Sequence, residues 1–93
     1  METGKLRVGQ LVWSTKGRDS GRLYVIIGFL QDRVLVADGK IRRVHRPKKK
    51  NARHLKVLPV VVENIRSKIE QGRKPSDADI QRALRSFEEG GSE

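Results

Sequence analysis

Nine cationic side chains stand between positions 40 and 56 with no carboxylate among them: Lys40, Arg42, Arg43, Arg46, Lys48, Lys49, Lys50, Arg53 and Lys56. His45 and His54 are interleaved. Cations at this density suit one chemistry above others, the neutralisation of phosphates along a polynucleotide with release of its counterions. A second cluster precedes them, Lys16-Gly17-Arg18-Asp19-Ser20-Gly21-Arg22. Gly17 and Gly21 allow backbone conformations closed to other residues, so the chain can approach an anion closely. The N–H groups of such a loop are anion donors in their own right. Arg18 adds a planar fork that grips a phosphate through two N–H groups. The two glycines are equally consistent with an ordinary hairpin turn, and both roles can hold at once. Asp19 reads as a turn residue.

Four aromatic residues are present, Trp13, Tyr24, Phe29 and Phe87. Strand parity places Leu11 and Trp13 on one face and Val12 and Ser14 on the other. If Val12 is core, Trp13 is exposed and free to stack on a base. If Leu11 is core, Trp13 packs inside. Tyr24 is a second stacking candidate, whereas Phe29 and Phe87 are expected in the core.

Other chemistries find no support. There is no Cys, and two His nine apart match no metal-ligand spacing. No nucleophile lies near a base, no carboxylates pair in an apolar setting, and no phosphate-loop motif occurs. A non-enzymatic protein with no cofactor, no metal and no small-molecule substrate is expected. No apolar run approaches the roughly 18 residues of a membrane span. The first seven residues lack the apolar centre of a signal peptide. The basic run has no adjoining amphipathic helix bearing Trp or Phe, which argues against membrane attachment. The expected location is the cytoplasm.

The 93-residue chain carries a formal charge of +10. Residues 1–58 hold 15 Lys and Arg against 4 Asp and Glu, and residues 59–93 hold 6 against 7. The excess therefore belongs to the first part, which reads as strands. Short β-branched and aromatic runs cover 9–15, 22–30, 34–37, 41–46 and 55–58. Asp38-Gly39 suits a tight hairpin between two of them. About five short strands in 50 residues imply a small, closed or nearly closed barrel. The second part reads as two helices. Val61, Ile65 and Ile69 form a stripe within 60–71. Gly72 ends that helix, Ser76 caps the next, and Ile80, Ala83, Leu84 and Phe87 form its apolar face. These faces either complete a thin core or dock a partner.

One ordered set of features carries a family resemblance. Gly9-Gln10-Leu11-Val12 leads into the glycine-flanked basic loop and then into Tyr24-Val25-Ile26-Ile27. Val34 to Gly39, Arg42-Arg43-Val44, Pro47-Lys48-Lys49-Lys50-Asn51 and His54-Leu55 follow. This stretch, about residues 7–58, resembles the KOW motif of ribosomal proteins and transcription elongation factors. It is most similar to short bacterial KOW-domain RNA-binding proteins related to large-subunit ribosomal proteins of archaea and eukaryotes. The resemblance implies an SH3-like barrel over 7–58; with the helical pattern that follows, the expectation is a mainly β protein with a two-helix extension over 59–89, which is not part of the KOW core, and a flexible tail over 90–93. The resemblance also implies ribosomal RNA and the ribosome as partners. The RNA contacts would be Lys16, Arg18, Arg22, Lys40, Arg42, Arg43, Arg46, Lys48, Lys49, Lys50 and Arg53, with Trp13 and Tyr24 as stacking candidates and Gly17, Asp19 and Gly21 shaping the loop. The alternative is a protein–protein adaptor of the translation or transcription machinery that works through its C-terminal helices.

Overall fold

The second strand is apolar at nearly every position because the sheet it belongs to is covered on both faces. The computed structural model describes residues 6–90. Of the expected tail only Gly90 is included, and residues 91–93 lie outside the described residues. Five strands, β1 (Gln10–Ser14), β2 (Leu23–Leu30), β3 (Arg33–Ala37), β4 (Lys48–Asn51) and β5 (Leu55–Val61), form one antiparallel sheet in the order β4-β3-β2-β1-β5. A 3-10 turn, Ala52–His54, carries the chain from β4 across to β5. Two helices follow, α1 (Glu63–Glu70) and α2 (Asp77–Glu88).

Side-chain parity sorts the core into two layers. Val12, Tyr24, Ile26, Val34 and Val36 point into the curl of the sheet, where Ala52 and Leu55 close it. Leu11, Leu23 and Val25 point the other way, against Ile65 of α1, Ile80 and Leu84 of α2, and Val44. Leu11 and Val12 are adjacent, and both are fully buried. The choice posed by strand parity is therefore not a choice: each face of β1 is a core face. The apolar stripes of α1 and α2 are spent on the outer layer.

The structure corrects several expected elements. Residues 41–46 form no strand; the segment from Asp38 to Pro47 is a loop. The fourth strand is the lysine triplet with Asn51, paired along β3 from Val36↔Lys48 to Arg33↔Asn51. A Lys-rich edge strand blunts edge-to-edge association but carries little of the apolar signal that betrays a strand. β5 runs to Val61, past the expected limit at 58, and the first helix starts at Glu63 rather than 60. Val62 N–H donates to the Gly9 carbonyl, at 2.8 Å, which keeps the chain extended there. Pro59 is tolerated because β5 is an edge strand and its register against β1 is bulged between Gln10 and Val12. Phe29 is 45% and Leu30 46% exposed, because β2 outruns the core toward the turn at Gln31 and Asp32. Phe87 packs against the outer layer as expected.

Ser76 caps α2 in a reciprocal box with Asp79: each side chain accepts the other's backbone N–H, both at 3.0 Å. Asp79 also receives the Lys68 ammonium of α1 at 2.7 Å. The Lys68 hydrogen bond, then the Ser76 N–H, hold the Asp79 carboxyl down at about 2. Where α2 meets the barrel, Gly39 leaves no room for a side chain. A Cβ there would lie 2.7 Å from the Asp77 carbonyl oxygen and 2.9 Å from Gln81 Cγ, and its φ is +79°. Gly39→Ala should therefore cost about 1–3 kcal/mol through backbone strain and push α2 off the sheet. Urea unfolding reads the loss, and an unchanged midpoint would contradict this account of the helix–barrel contact.

Candidate nucleic-acid interface

The basic loop between β1 and β2 is built from two successive turns. Ser20 N–H donates to the Gly17 carbonyl at 3.1 Å, and Arg22 N–H to the Asp19 carbonyl at 2.9 Å. Gly21 N–H returns to the Ser14 carbonyl at 2.7 Å. Gly17 and Gly21 hold φ of +93° and +91°, in the left-handed region that favours glycine. The N–H groups of Ser20, Gly21 and Arg22 are thus committed within the loop, which narrows the backbone cradle expected for phosphate. What the loop offers outward is the pair of exposed cations Lys16 and Arg18.

Asp19 is more than a turn residue. Its carboxylate plugs the inner layer, 8% exposed. It accepts from Tyr24 Oη at 2.7 Å, Ser14 Oγ at 2.9 Å and Lys50 Nζ at 3.1 Å. Burial alone would raise its pKa, but the hydrogen bonds from Tyr24, Ser14 and Lys50 outweigh that and hold it well below the usual carboxylate range. Burial and the bond to Asp19 push the Tyr24 phenol well above its ordinary value. Two expected RNA contacts are corrected here. Tyr24 is 1% exposed and cannot stack on a base as folded. Lys50 is 6% exposed, and its ammonium is taken by Asp19 and, at 2.8 Å, by the Lys16 carbonyl. Alternation along β4 explains this: Lys50 faces inward opposite Val34, whereas Lys49 is exposed.

The second basic segment, residues 38–47, is a loop shaped by carboxylates. Asp38 Oδ1 accepts the N–H of Lys40 at 3.0 Å and of Arg42 at 2.8 Å. Its other oxygen pairs with Arg22 at 3.4 Å. From α2, Asp77 Oδ1 accepts the Val44 N–H at 2.8 Å, and Gln81 Nε2 donates to the Gly39 carbonyl at 2.6 Å. The helices thus hold this loop against the barrel.

These bonds tie the basic segments to one another. Asp19 joins the glycine loop to β4, through Lys50 and, at 3.9 Å, Lys48. Asp38 joins Arg22 to the 38–47 loop. Thr15 N–H donates to the His54 carbonyl at 2.9 Å, which brings in the turn carrying Arg53. Lys16, Arg18, Lys40, Arg43, Arg46, Lys49 and Arg53 are exposed, and Arg42 is half-buried. Among the described residues none of these eight pairs with a carboxylate. Arg22 and Lys48 are half-buried and face Asp38 and Asp19. Trp13 is half-buried, packed beside the outer layer. Sequence reasoning missed Ile41, 68% exposed amid the arginines of the second loop; only the misassigned strand concealed it. It also missed the part played by Asp77 and Gln81, for which no local signal exists.

No three or more His, Cys, Asp or Glu side chains among the described residues cluster to hold a metal ion. No helix among them is long and apolar enough to cross a membrane. No family model matches the chain. A search of known proteins finds a Bacillus subtilis (strain 168) protein named "Putative ribosome-binding protein YbzG", 38% identical over 65 residues, which cover 69% of this chain and 88% of the relative.

Proposed function

The chain belongs to the family of the Bacillus subtilis protein YbzG, and on that premise we propose that it is a non-enzymatic protein that attaches to the ribosome by binding ribosomal RNA. The contact surface is the glycine loop, the 38–47 loop, the exposed side of β4 and the 3-10 turn. The observation that carries this reading is the set of eight cations without carboxylate partners among the described residues, on segments that Asp19, Asp38 and Thr15 bind together. Such a set neutralises phosphates and steers a polyanion toward itself. The relative's printed name supports the ribosome as the place of action. The five-stranded antiparallel sheet is compatible with the small β barrel that the KOW resemblance implies. The large subunit is the proposed binding site, by analogy with the KOW-containing ribosomal proteins.

The adaptor reading has less to work with. The apolar residues that α1 and α2 would offer a partner, Ile65, Ile80 and Leu84, are buried in the outer core layer. For the same reason removing residues 60–93 would strip the core rather than test a docking site. Surface substitutions on the full chain are the appropriate probe. Purified protein should pellet with large ribosomal subunits at about 50 mM salt and bind deproteinised ribosomal RNA there, with release as salt rises. Pelleting with subunits but indifference to naked RNA would favour a protein partner, and failure in both assays would end the proposal.

A further inference from the structure

Between the barrel and α2 lies a cleft of about 320 Å³ that the basic surface does not account for. Its apolar wall is Trp13 with Leu23 and Leu84. Asp38, Gln81 and Glu88 supply polar groups, and Lys40 and Arg85 bring cations. We propose that this cleft receives one unstacked nucleobase of the bound RNA, laid against the Trp13 indole, with the flanking phosphates met by Lys40 and Arg85. The inference rests on the RNA-binding reading above and adds to it the part of the RNA recognised: a single-stranded or bulged nucleotide.

The arrangement matches the chemistry of a nucleotide. The cleft is at the small end of the range of ligand sites, roughly 300–1,000 Å³. An aromatic platform beside cations is how single-stranded nucleic acid is held without much sequence preference. Trp13 is half-buried, so part of the ring packs on the core and part borders the cleft. Glu88 and the Gln81 amide oxygen can meet the edge of a base, while Asp38 is held by the Lys40 and Arg42 N–H groups and by Arg22, and the Gln81 amide nitrogen by the Gly39 carbonyl. Lys40 and Arg85 are exposed and have no carboxylate partner among the described residues. Continuity decides between a base of RNA and a free nucleotide. Lys40 and Arg22 line the cleft and also belong to the two basic loops, so a chain crossing those loops passes the mouth. The cleft exists only because α2 is docked, which gives the helical extension a role in binding as well as in stability.

Trp13 is the sole tryptophan of the chain, so its emission reports on the cleft directly. Short single-stranded RNA, end-labelled for anisotropy, should bind at about 50 mM salt and quench Trp13 saturably, both signals giving one affinity. Duplex RNA of equal length should bind with little quenching. Trp13→Phe should keep most of the single-strand affinity, and Trp13→Ala, if folded, should lose roughly 10- to 100-fold. Arg85→Ala, which removes an exposed side chain lining the cleft, should weaken binding without altering the fold. RNA binding with Trp13 emission unchanged would overturn the cleft assignment and leave the RNA reading standing. Quenching by a free mononucleotide at the same concentration as by RNA would replace a base of RNA with a nucleotide ligand and so overturn it too. No RNA binding at all would remove both.

Discussion

Asp19→Ala should lower the free energy of unfolding by about 3–5 kcal/mol, the typical cost of removing one partner from a buried ion pair. The substitution leaves Lys50 Nζ inside the barrel with one carbonyl for company and takes the acceptor from the Tyr24 and Ser14 hydroxyls. Domains of this size are held by about 5–15 kcal/mol in all, so the variant should be close to unfolding at physiological temperature. Adding Lys50→Met should recover part of the loss, because no buried charge then remains unpaired. Urea titration of the three proteins measures this. A single-variant loss below about 1 kcal/mol would mean the pair is hydrated and the hub unimportant. The same carboxylate sets an acid limit. Its folded pKa lies below the ordinary 3.8, so its contribution is complete above that value and fades as pH falls through the folded one. Asp79, held at about 2, acts in the same direction. The urea midpoint should therefore be flat from neutrality to about pH 5 and drop below about pH 4, and Asp19→Ala should flatten that drop.

Affinity for ribosomal RNA should collapse with salt, and the exposed cations should account for the steepness. If six to eight of them meet phosphates, binding falls by about 10³–10⁴ between about 50 and 200 mM salt, less steeply for single strands. The triple variant Arg43→Ala, Arg46→Ala, Lys49→Ala removes three side chains that are exposed and make no ion pair among the described residues. Its log–log salt slope should be shallower by about two to three, with unchanged urea stability. Lys50→Met alone should alter stability far more than the salt slope. A triple variant with the wild-type slope would show that the RNA, if bound, lies elsewhere.

The general plan was legible because several signals agreed. The β-branched runs at 11–12, 23–27 and 34–37, the glycine pair at 17 and 21, and the Ser76 cap each mark their element locally. What was not legible depended on neighbours distant in sequence. Lys49 and Lys50 look alike in a run of three, and only pairing with β3 decides which faces inward. Asp19 looks like any turn aspartate until Lys50, 31 residues later, reaches it. The Asp38-Gly39 pair suggested a hairpin, but its glycine is required by α2 pressing on it and its aspartate by two loop N–H groups and Arg22. Strand parity could not place Trp13, because that argument assumes one wet face and α1 and α2 had already covered the second.

Crosslinking of ribosome-bound protein to RNA, followed by identification of the crosslinked peptides, meets the central claim head-on. The surface described here predicts adducts within residues 15–22 and 40–56. Adducts confined to the outward faces of α1 and α2, around Asn64, Ser67, Arg82 and Ser86, would contradict it.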